Sequence, residues 1–283
     1  MFFFLAVSLA VSSVQLGYHR TALLFLLAWG VAFLSEVSST RNGIPYGYYE
    51  YLETTRDLEL WIANVPFFDS LSYTFIAYSA YAMALLAYSP VLRRGGDVQL
   101  VDTHRLRQSW PVAVLSIVFV VCLDIVVDPV ALRGSRWFLG QIFWYPAGGL
   151  YFGVPLSNFA GWAIVGATII LLFQRIDRFL VERGWMSGRG VRHIPAKALL
   201  GAALYAMLLV FNLSITFAIG EPLLGCVGLF IFTPIMTFLI VLVFKPANQA
   251  TEAELEAHMQ DFPASPLVPW LRSSGIRKGE GDG

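Results

Sequence analysis

The chain has 283 residues, of which 57% are hydrophobic and only 13% are charged, and its formal net charge is zero. Soluble domains are about 25% charged, so this composition excludes an ordinary water-soluble fold and predicts a membrane protein. The absence of a net positive charge argues against a nucleic-acid partner.

Seven apolar segments predict an all-α fold, a polytopic bundle of about seven transmembrane helices, since a span needs about 20 apolar residues. They lie at 2–17, 21–39, 66–92, 110–129, 157–175, 197–219 and 223–244. A polar break at Tyr18-His19-Arg20 separates the first two. Cleavage of the first segment near Ala10-Val11-Ser12 would leave six spans.

The chain is predicted to form one transmembrane domain over residues 1–245, followed by a flexible cytoplasmic tail over 246–283. Thr251 followed by Glu254 resembles a capping box and predicts a short helix at the start of that tail. The later prolines and glycines are typical of a flexible terminus.

The distribution of basic residues predicts the orientation of the chain. If the loop at 93–107 is cytoplasmic, all but four of the 19 Lys and Arg residues lie on that side. The four on the other side are Arg41, Arg56, Arg133 and Arg136. The N-terminus is then outside the cytoplasm and the C-terminus inside.

Two carboxyl groups in the fourth span are the strongest candidates for a functional site. Asp124 and Asp128 are four residues apart, so they share one face of a helix. An ionisable side chain within a membrane span is expensive to place and is often functional. Pro129 disfavours helical geometry at Asp128, so we expect the helix to end or kink there.

Glu36, near the end of the second span, matches the predicted depth of Asp124, because helices rise about 1.5 Å per residue. Both acids then lie about one turn inside the non-cytoplasmic face. The alternative is that these acids end their helices in ion pairs at the membrane interface, with Arg41, Arg133 or Arg136. Asp69, near the same face, could be a fourth acid, although a capping or interfacial role is favoured.

Aromatic side chains concentrate in two loops, 43–51 and 137–155, which we expect to close over the acids. They could form an ordinary belt at the membrane interface. They could instead line a site for a long isoprenoid ligand and stabilise a carbocation. Asn158, at the start of the fifth span, could cap its helix or hold a water molecule. The aromatic candidates are Tyr46, Tyr48, Tyr49, Tyr51, Trp137, Trp144, Tyr151 and Trp162.

Three ordered blocks of sequence resemble the membrane carotenoid 1,2-hydratases of the CruF type. The first is Glu36-x6-Gly43-Ile44-Pro45-Tyr46-Gly47-x-Tyr49-x-Tyr51, in which Tyr46 replaces the usual phenylalanine. The second is Asp124-x3-Asp128-Pro129. The third is Gly149-x-Tyr151-x-Gly153-x-Pro155-x-Ser157-Asn158-x2-Gly161-Trp162. The blocks cover about residues 36–162, and the general hydropathy pattern extends to about 245.

The resemblance implies addition of water across the terminal 1,2 double bond of an acyclic carotenoid end, which gives a tertiary alcohol. It implies no cofactor. The expected partners are the carotenoid, water and membrane lipid, and other carotenoid enzymes are candidate partners. We expect Asp124 or Glu36 to donate the proton and Asp128 to orient the water, with Asn158 as a candidate second group for the water. The substrate-binding candidates are Tyr46, Tyr49, Tyr51, Trp137, Trp144, Tyr151, Asn158 and Trp162.

Two other functions remain open from the sequence. Asp-x3-Asp on a membrane helix also suits a magnesium–diphosphate site of a polyprenyl transferase, although only one such pair is present. Intramembrane acids also form proton relays, so the chain could be a proton-coupled transporter or a scaffold for pigment synthesis. The four histidines lack metal-ligand spacing, so no histidine metal site is expected.

Overall fold

The computed structural model describes residues 1–53, 56–57, 59–136, 140–186, 193–265 and 267. Trp137, one of the predicted aromatic contacts, lies outside these described residues. Nine α-helices occur in the described part of the chain. They are α1 (Phe2–Leu16), α2 (Tyr18–Asn42), α3 (Phe67–Tyr88), α4 (His104–Arg107), α5 (Trp110–Ala131), α6 (Leu156–Glu182), α7 (Leu200–Ala218), α8 (Pro222–Phe244) and α9 (Glu252–Asp261).

Six helices are long and apolar enough to cross a membrane, which confirms the polytopic all-α fold. They are α2, α3, α5, α6, α7 with its preceding turn, and α8. The first apolar segment forms the shorter helix α1, whose 15 residues rise roughly 22 Å against a hydrocarbon core of about 30 Å. The described structure therefore has six candidate spans and a shorter apolar helix beside them.

The break between α1 and α2 differs from the predicted one. The turn consists of Gly17 alone, with φ of +87°, a conformation that side chains with a Cβ rarely adopt. Tyr18, His19 and Arg20 instead form the first turn of α2. Pro129 also does not end α5 at Asp128, because the helix continues to Ala131. Pro129 has no N–H to bond the carbonyl of Ile125, and only Val130 and Ala131 follow it in α5.

Helix α3 is the centre of the bundle. In the 18-residue apolar stretch of α3, 83% of the residues are buried, whereas the corresponding stretches of the other five candidate spans are 22–44% buried. It packs against α2, α5 and α7. Small buried side chains such as Ala77, Ser79, Ala80 and Ala84 let these helices approach closely.

One end of the bundle is covered by loops that pair with each other. Strand β1 (Glu50–Tyr51) pairs antiparallel with β6 (Phe143–Trp144), and Leu52 N donates to Ile142 O at 2.7 Å. A short hairpin of β2 (Trp61–Ile62) and β3 (Val65–Pro66) leads directly into α3. The expectation that two aromatic loops close over one region is confirmed for their described residues.

The opposite end carries a hairpin of β4 (Val91–Arg94) and β5 (Asp97–Leu100), followed by α4. The predicted capping box is confirmed: Thr251 Oγ1 accepts from Glu254 N, and the Glu254 carboxylate accepts from Thr251 N. The resulting helix α9 packs its buried His258 against the backbone carbonyl of Asp102 at 2.7 Å. The division into a domain and a tail, and the direction of the chain across the membrane, remain predictions.

Candidate active site

Glu36 lies in the penultimate turn of α2 and is buried, with 4% of its surface exposed. Ser70, in the first turn of α3, donates a hydrogen bond of 2.6 Å to Glu36 Oε2. The Tyr51 hydroxyl lies 3.1 Å from the same oxygen. A helix end, a second helix and a loop strand therefore meet at one carboxyl group.

Tyr51 connects Glu36 to a second acid, Asp69. The Tyr51 hydroxyl lies 2.7 Å from Asp69 Oδ2. A phenol has a single hydrogen and ionised carboxylates only accept, so Tyr51 can donate to one of these two acids at a time. Both contacts are hydrogen bonds only when one of the two carboxyls carries a proton and donates it to the tyrosine oxygen. The geometry thus suits a pair of acids that holds one proton. Asp69 is therefore a fourth acid of the site, whereas the sequence favoured a capping or interfacial role for it.

Asp124 and Asp128 form a second group, and Asn158 joins them. The Asn158 amide nitrogen donates to Asp124 Oδ2 at 3.0 Å and to Asp128 Oδ2 at 2.7 Å. Both amide hydrogens are used in this way, so Asn158 binds the acids with its side chain and does not cap α6. Asp124 is fully buried, and its Oδ1 has no hydrogen-bond partner among the described residues.

Two of the three basic residues expected as ion-pair partners, Arg133 and Arg136, bind elsewhere. Arg136 forms a salt bridge of 2.6 Å with Glu221, and Arg133 lies 3.6 Å from the same carboxylate. Within the described ranges, no Lys or Arg forms a salt bridge with the acids at this end of α2, α3 and α5. The ion-pair interpretation therefore does not describe these acids.

Aromatic side chains enclose the space between the two acid groups. Tyr73 stacks on Trp162 with ring centroids 4.2 Å apart and an interplanar angle of 18°. The Tyr46 hydroxyl donates to the Tyr73 hydroxyl at 2.6 Å. The cavity that these rings line measures about 50 Å³, enough for water. Its wall is formed by Tyr46, Tyr49, Tyr51, Asp69, Tyr73, Asp128, Phe143, Tyr145, Asn158 and Trp162.

The loop tyrosines remain neutral hydrogen-bond donors in this setting. Burial raises the pKa of Tyr46, Tyr49 and Tyr51 well above its usual value, and the neighbouring carboxyl groups raise each pKa further. Burial raises the pKa of Tyr145 in the same way. These hydroxyls can therefore orient water or share hydrogens with the acids without ionising near neutral pH.

The structure brings most, but not all, of the predicted site residues to this cavity. Glu36 and Asp124 stand behind its wall, in contact with Tyr51 and Asn158 respectively. Trp144 points outward and is 39% exposed. Tyr151 packs on Phe152 and Phe159 away from the cavity wall.

Four residues of the site were not singled out from the sequence: Ser70, Tyr73, Phe143 and Tyr145. Tyr73 follows Asp69 by four residues, so the face of α3 that carries Asp69 would have indicated it. Ser70 is the next residue after Asp69 and lies on a different face, so its contact with Glu36 depends on how α2 and α3 pack. Phe143 and Tyr145 depend on the pairing of β1 with β6, for which the sequence carries no local signal. The residues that the structure describes contain no group of three or more His, Cys, Asp or Glu placed to hold a metal ion.

The fold and the site define an integral membrane protein whose buried acids, tyrosines and amide gather at one end of a helical bundle. The chain belongs to the family described as carotenoid biosynthesis protein, which matches residues 1–234 and so includes the whole site. It is similar to the bisanhydrobacterioruberin hydratase of Haloarcula japonica, with 28% identity over 152 residues. That match covers 53% of this chain and 42% of the relative. No solved structure matches the chain.

Proposed function

We propose that the protein is a cofactor-independent hydratase that adds water across the terminal 1,2 double bond of an acyclic carotenoid end group. The product is a tertiary alcohol. The observation that carries the proposal is the small cavity that Asp69 and Tyr51 share with Asp128 and Asn158. A group suited to hold a proton and a group suited to hold water face the same space. Family membership and the similarity to a hydratase support this assignment.

The proton comes from the group formed by Glu36, Tyr51 and Asp69. Transfer to C2 of the substrate makes a C–H bond from the electrons of the double bond, and C1 becomes a tertiary cation. Asp69 is the carboxyl of this group that faces the cavity, and Glu36 replenishes it through the Tyr51 hydroxyl. General acid–base catalysis of this kind contributes about 10²–10⁴-fold.

The water donates its hydrogens to Asp128 and to the oxygen of the Asn158 amide, because both amide hydrogens already bind the acids. Its oxygen bonds to C1 of the cation, and Asp128 takes the proton that the water loses. Return of this proton across the cavity to the acid–tyrosine group restores the starting state, so the reaction consumes only water and substrate. Asp124 lies behind Asn158 and off the cavity wall, which favours Glu36 and its partners over Asp124 as the proton donor. Asp124 then acts as a positioning residue for the Asn158 amide.

The aromatic wall stabilises the intermediate cation. The stacked rings of Tyr73 and Trp162 and the nearby ring of Tyr46 line the cavity, and aromatic rings attract a cation. Preorganised groups of this kind stabilise developing charge without reorganising during the reaction. A cavity of about 50 Å³ holds water but not a five-carbon end group.

The test is expression of the full chain in a bacterium that accumulates lycopene, with pigments analysed by chromatography and mass spectrometry. We expect a product heavier by one water with an unchanged polyene absorption, because the hydrated bond is unconjugated. Asp128→Asn is expected to abolish the product while the protein stays in the membrane. Unaltered lycopene, monocyclic and C50 acyclic pigments, with the protein present in the membrane, would contradict the proposal.

A further inference from the structure

A second and larger cavity lies at the opposite end of the bundle from the acids. It measures about 340 Å³, several times the volume of the cavity between the acid groups. The ends of several apolar helices meet there, including the α1–α2 turn, the end of α6 and the start of α7. Helix α9 and the residues after it form its outer wall. The distribution of Lys and Arg predicts this end to be cytoplasmic.

Basic side chains on the wall of this cavity outnumber acidic ones. Arg20, Arg107 and Lys197 line it, against Asp102 and Asp261. Each carboxylate is already in use. Asp102 accepts from Arg107 Nε at 2.5 Å, and Asp261 accepts from the backbone N–H of His104 at 2.6 Å.

Two of the cations keep unused hydrogen-bond donors. Arg20 is 4% exposed and pairs with Asp177 through Nε at 2.7 Å, but its Nη2 has no partner in the described part of the chain. The Lys197 ammonium makes no hydrogen bond or salt bridge with any residue that the structure describes. Lys197 is attracted by Asp102, which is already paired with Arg107. Arg20 Nη2 is a buried donor without a partner, which costs free energy, so its position favours an acceptor supplied by a ligand.

We propose that this second cavity binds a phosphate-bearing anion, with Lys197 and Arg20 as its principal contacts. Basic pockets between transmembrane helices on the cytoplasmic side are suited to phospholipid headgroups, and a soluble phosphate would offer the same acceptor oxygens. Leu16, Leu85 and Ala198 line the same cavity and give it an apolar side that suits the glycerol and acyl ends of a lipid. This site is separate from the proposed hydration site and does not depend on it.

The full-length protein, purified in a mild detergent, tests the proposal with three soluble probes: dioctanoyl phosphatidylglycerol, inorganic phosphate and dioctanoylglycerol. Binding is read by native mass spectrometry and by the shift in the thermal unfolding temperature. We expect phosphatidylglycerol to bind and dioctanoylglycerol, which lacks the phosphate, not to bind. Binding of inorganic phosphate at the same site, with no gain from the lipid chains, would support the anion site and assign it to a soluble ligand.

Lys197→Gln should weaken phosphatidylglycerol binding by about five-fold or more, as expected for the loss of one cation beside an anionic headgroup. Lys197→Arg should keep the binding. Arg20→Lys retains a charge for Asp177 but removes the unpartnered Nη2, so it gives a second test if the glutamine variant does not fold. Arg105→Gln is the matched control, because Arg105 is exposed on α4 and off the cavity wall. Equal binding of dioctanoylglycerol, or equal losses in Lys197→Gln and Arg105→Gln, would overturn the proposal.

Discussion

The hydroxyl of Tyr51 lies 2.7 Å from Asp69, so a residue of a loop strand is bonded to an acid in the first turn of α3. The same hydroxyl lies 3.1 Å from Glu36 on α2. One phenol thus joins two carboxyls that come from different helices. This connection allows the two acids to share a proton next to the cavity.

Tyr51→Phe is expected to lower the hydration rate by about 10²-fold or more, because the link from Glu36 to Asp69 is lost while the ring remains. The amount of folded protein should stay near that of the wild type. The measurement is product formation per mole of protein in membranes. Tyr48→Phe is the control, since that hydroxyl donates to Glu50 at the surface, away from the acids of the site. A wild-type rate for Tyr51→Phe would rule out the relay.

Asn158→Ala is expected to lower both stability and activity. The substitution leaves the facing oxygens of Asp124 and Asp128 without their amide donors. A buried acceptor left without a partner costs about 1–3 kcal/mol, and two are affected here. Thermal unfolding in detergent should therefore begin at a lower temperature.

Asp124→Asn should keep more activity than Asp128→Asn, and the reverse order would exchange the roles assigned to the two acids.

Gly161→Ala is expected to disturb the aromatic loop after α2. A Cβ at Gly161 would lie 2.6 Å from Tyr46 Cα and 2.7 Å from Pro45 O, both of them backbone atoms that cannot rotate away. Overpacking of this kind costs about 1–3 kcal/mol, and it should also displace Tyr46 from the cavity wall. Gly30→Ala, on the same bundle but with open space around its Cβ, is the control. Equal unfolding temperatures and equal rates of carotenoid hydration in the two variants would contradict this prediction.

Acid should destabilise the end of the protein that carries Asp102. Burial by itself raises the pKa of Asp102, but the charge and hydrogen bond of Arg107, with smaller contributions from His258 and Lys197, hold the pKa below its usual value. A carboxyl group whose pKa is lower in the folded state stabilises the fold at any pH above its unfolded-state pKa of about 3.9. This stabilisation is lost as the pH falls toward the folded-state pKa.

The check is the unfolding temperature measured from pH 7 down to pH 3, in wild-type protein and in Asp102→Asn. The variant should lose about 3–5 kcal/mol at neutral pH, because Arg107 keeps a buried charge without its partner. It should also show a smaller decline below pH 4 than the wild type. Parallel curves for the two proteins would show that Asp102 does not carry this pH dependence.

The sequence by itself determined the membrane bundle. Apolar runs of about 20 residues can satisfy their backbone groups in lipid only as helices, so hydropathy located all six spans. Local rules also sufficed for the shared helix face of Asp124 and Asp128 and for the capping box of α9, because both depend on residues within one turn. Local rules were less accurate at breaks, where Gly17 alone separates α1 from α2 and Pro129 is accommodated inside α5.

Only the tertiary structure decided which groups meet. Tyr51, Asp69 and Glu36 come from a loop strand and two helices, and their contacts depend on how those helices are rotated and on where the loops pair. It also decided that Arg133 and Arg136 lie with Glu221 and that Asn158 lies between two acids. Hydrogen bonds of about 3 Å require placement within a few tenths of an ångström, and hydropathy, which acts over whole helices, carries no information at that scale.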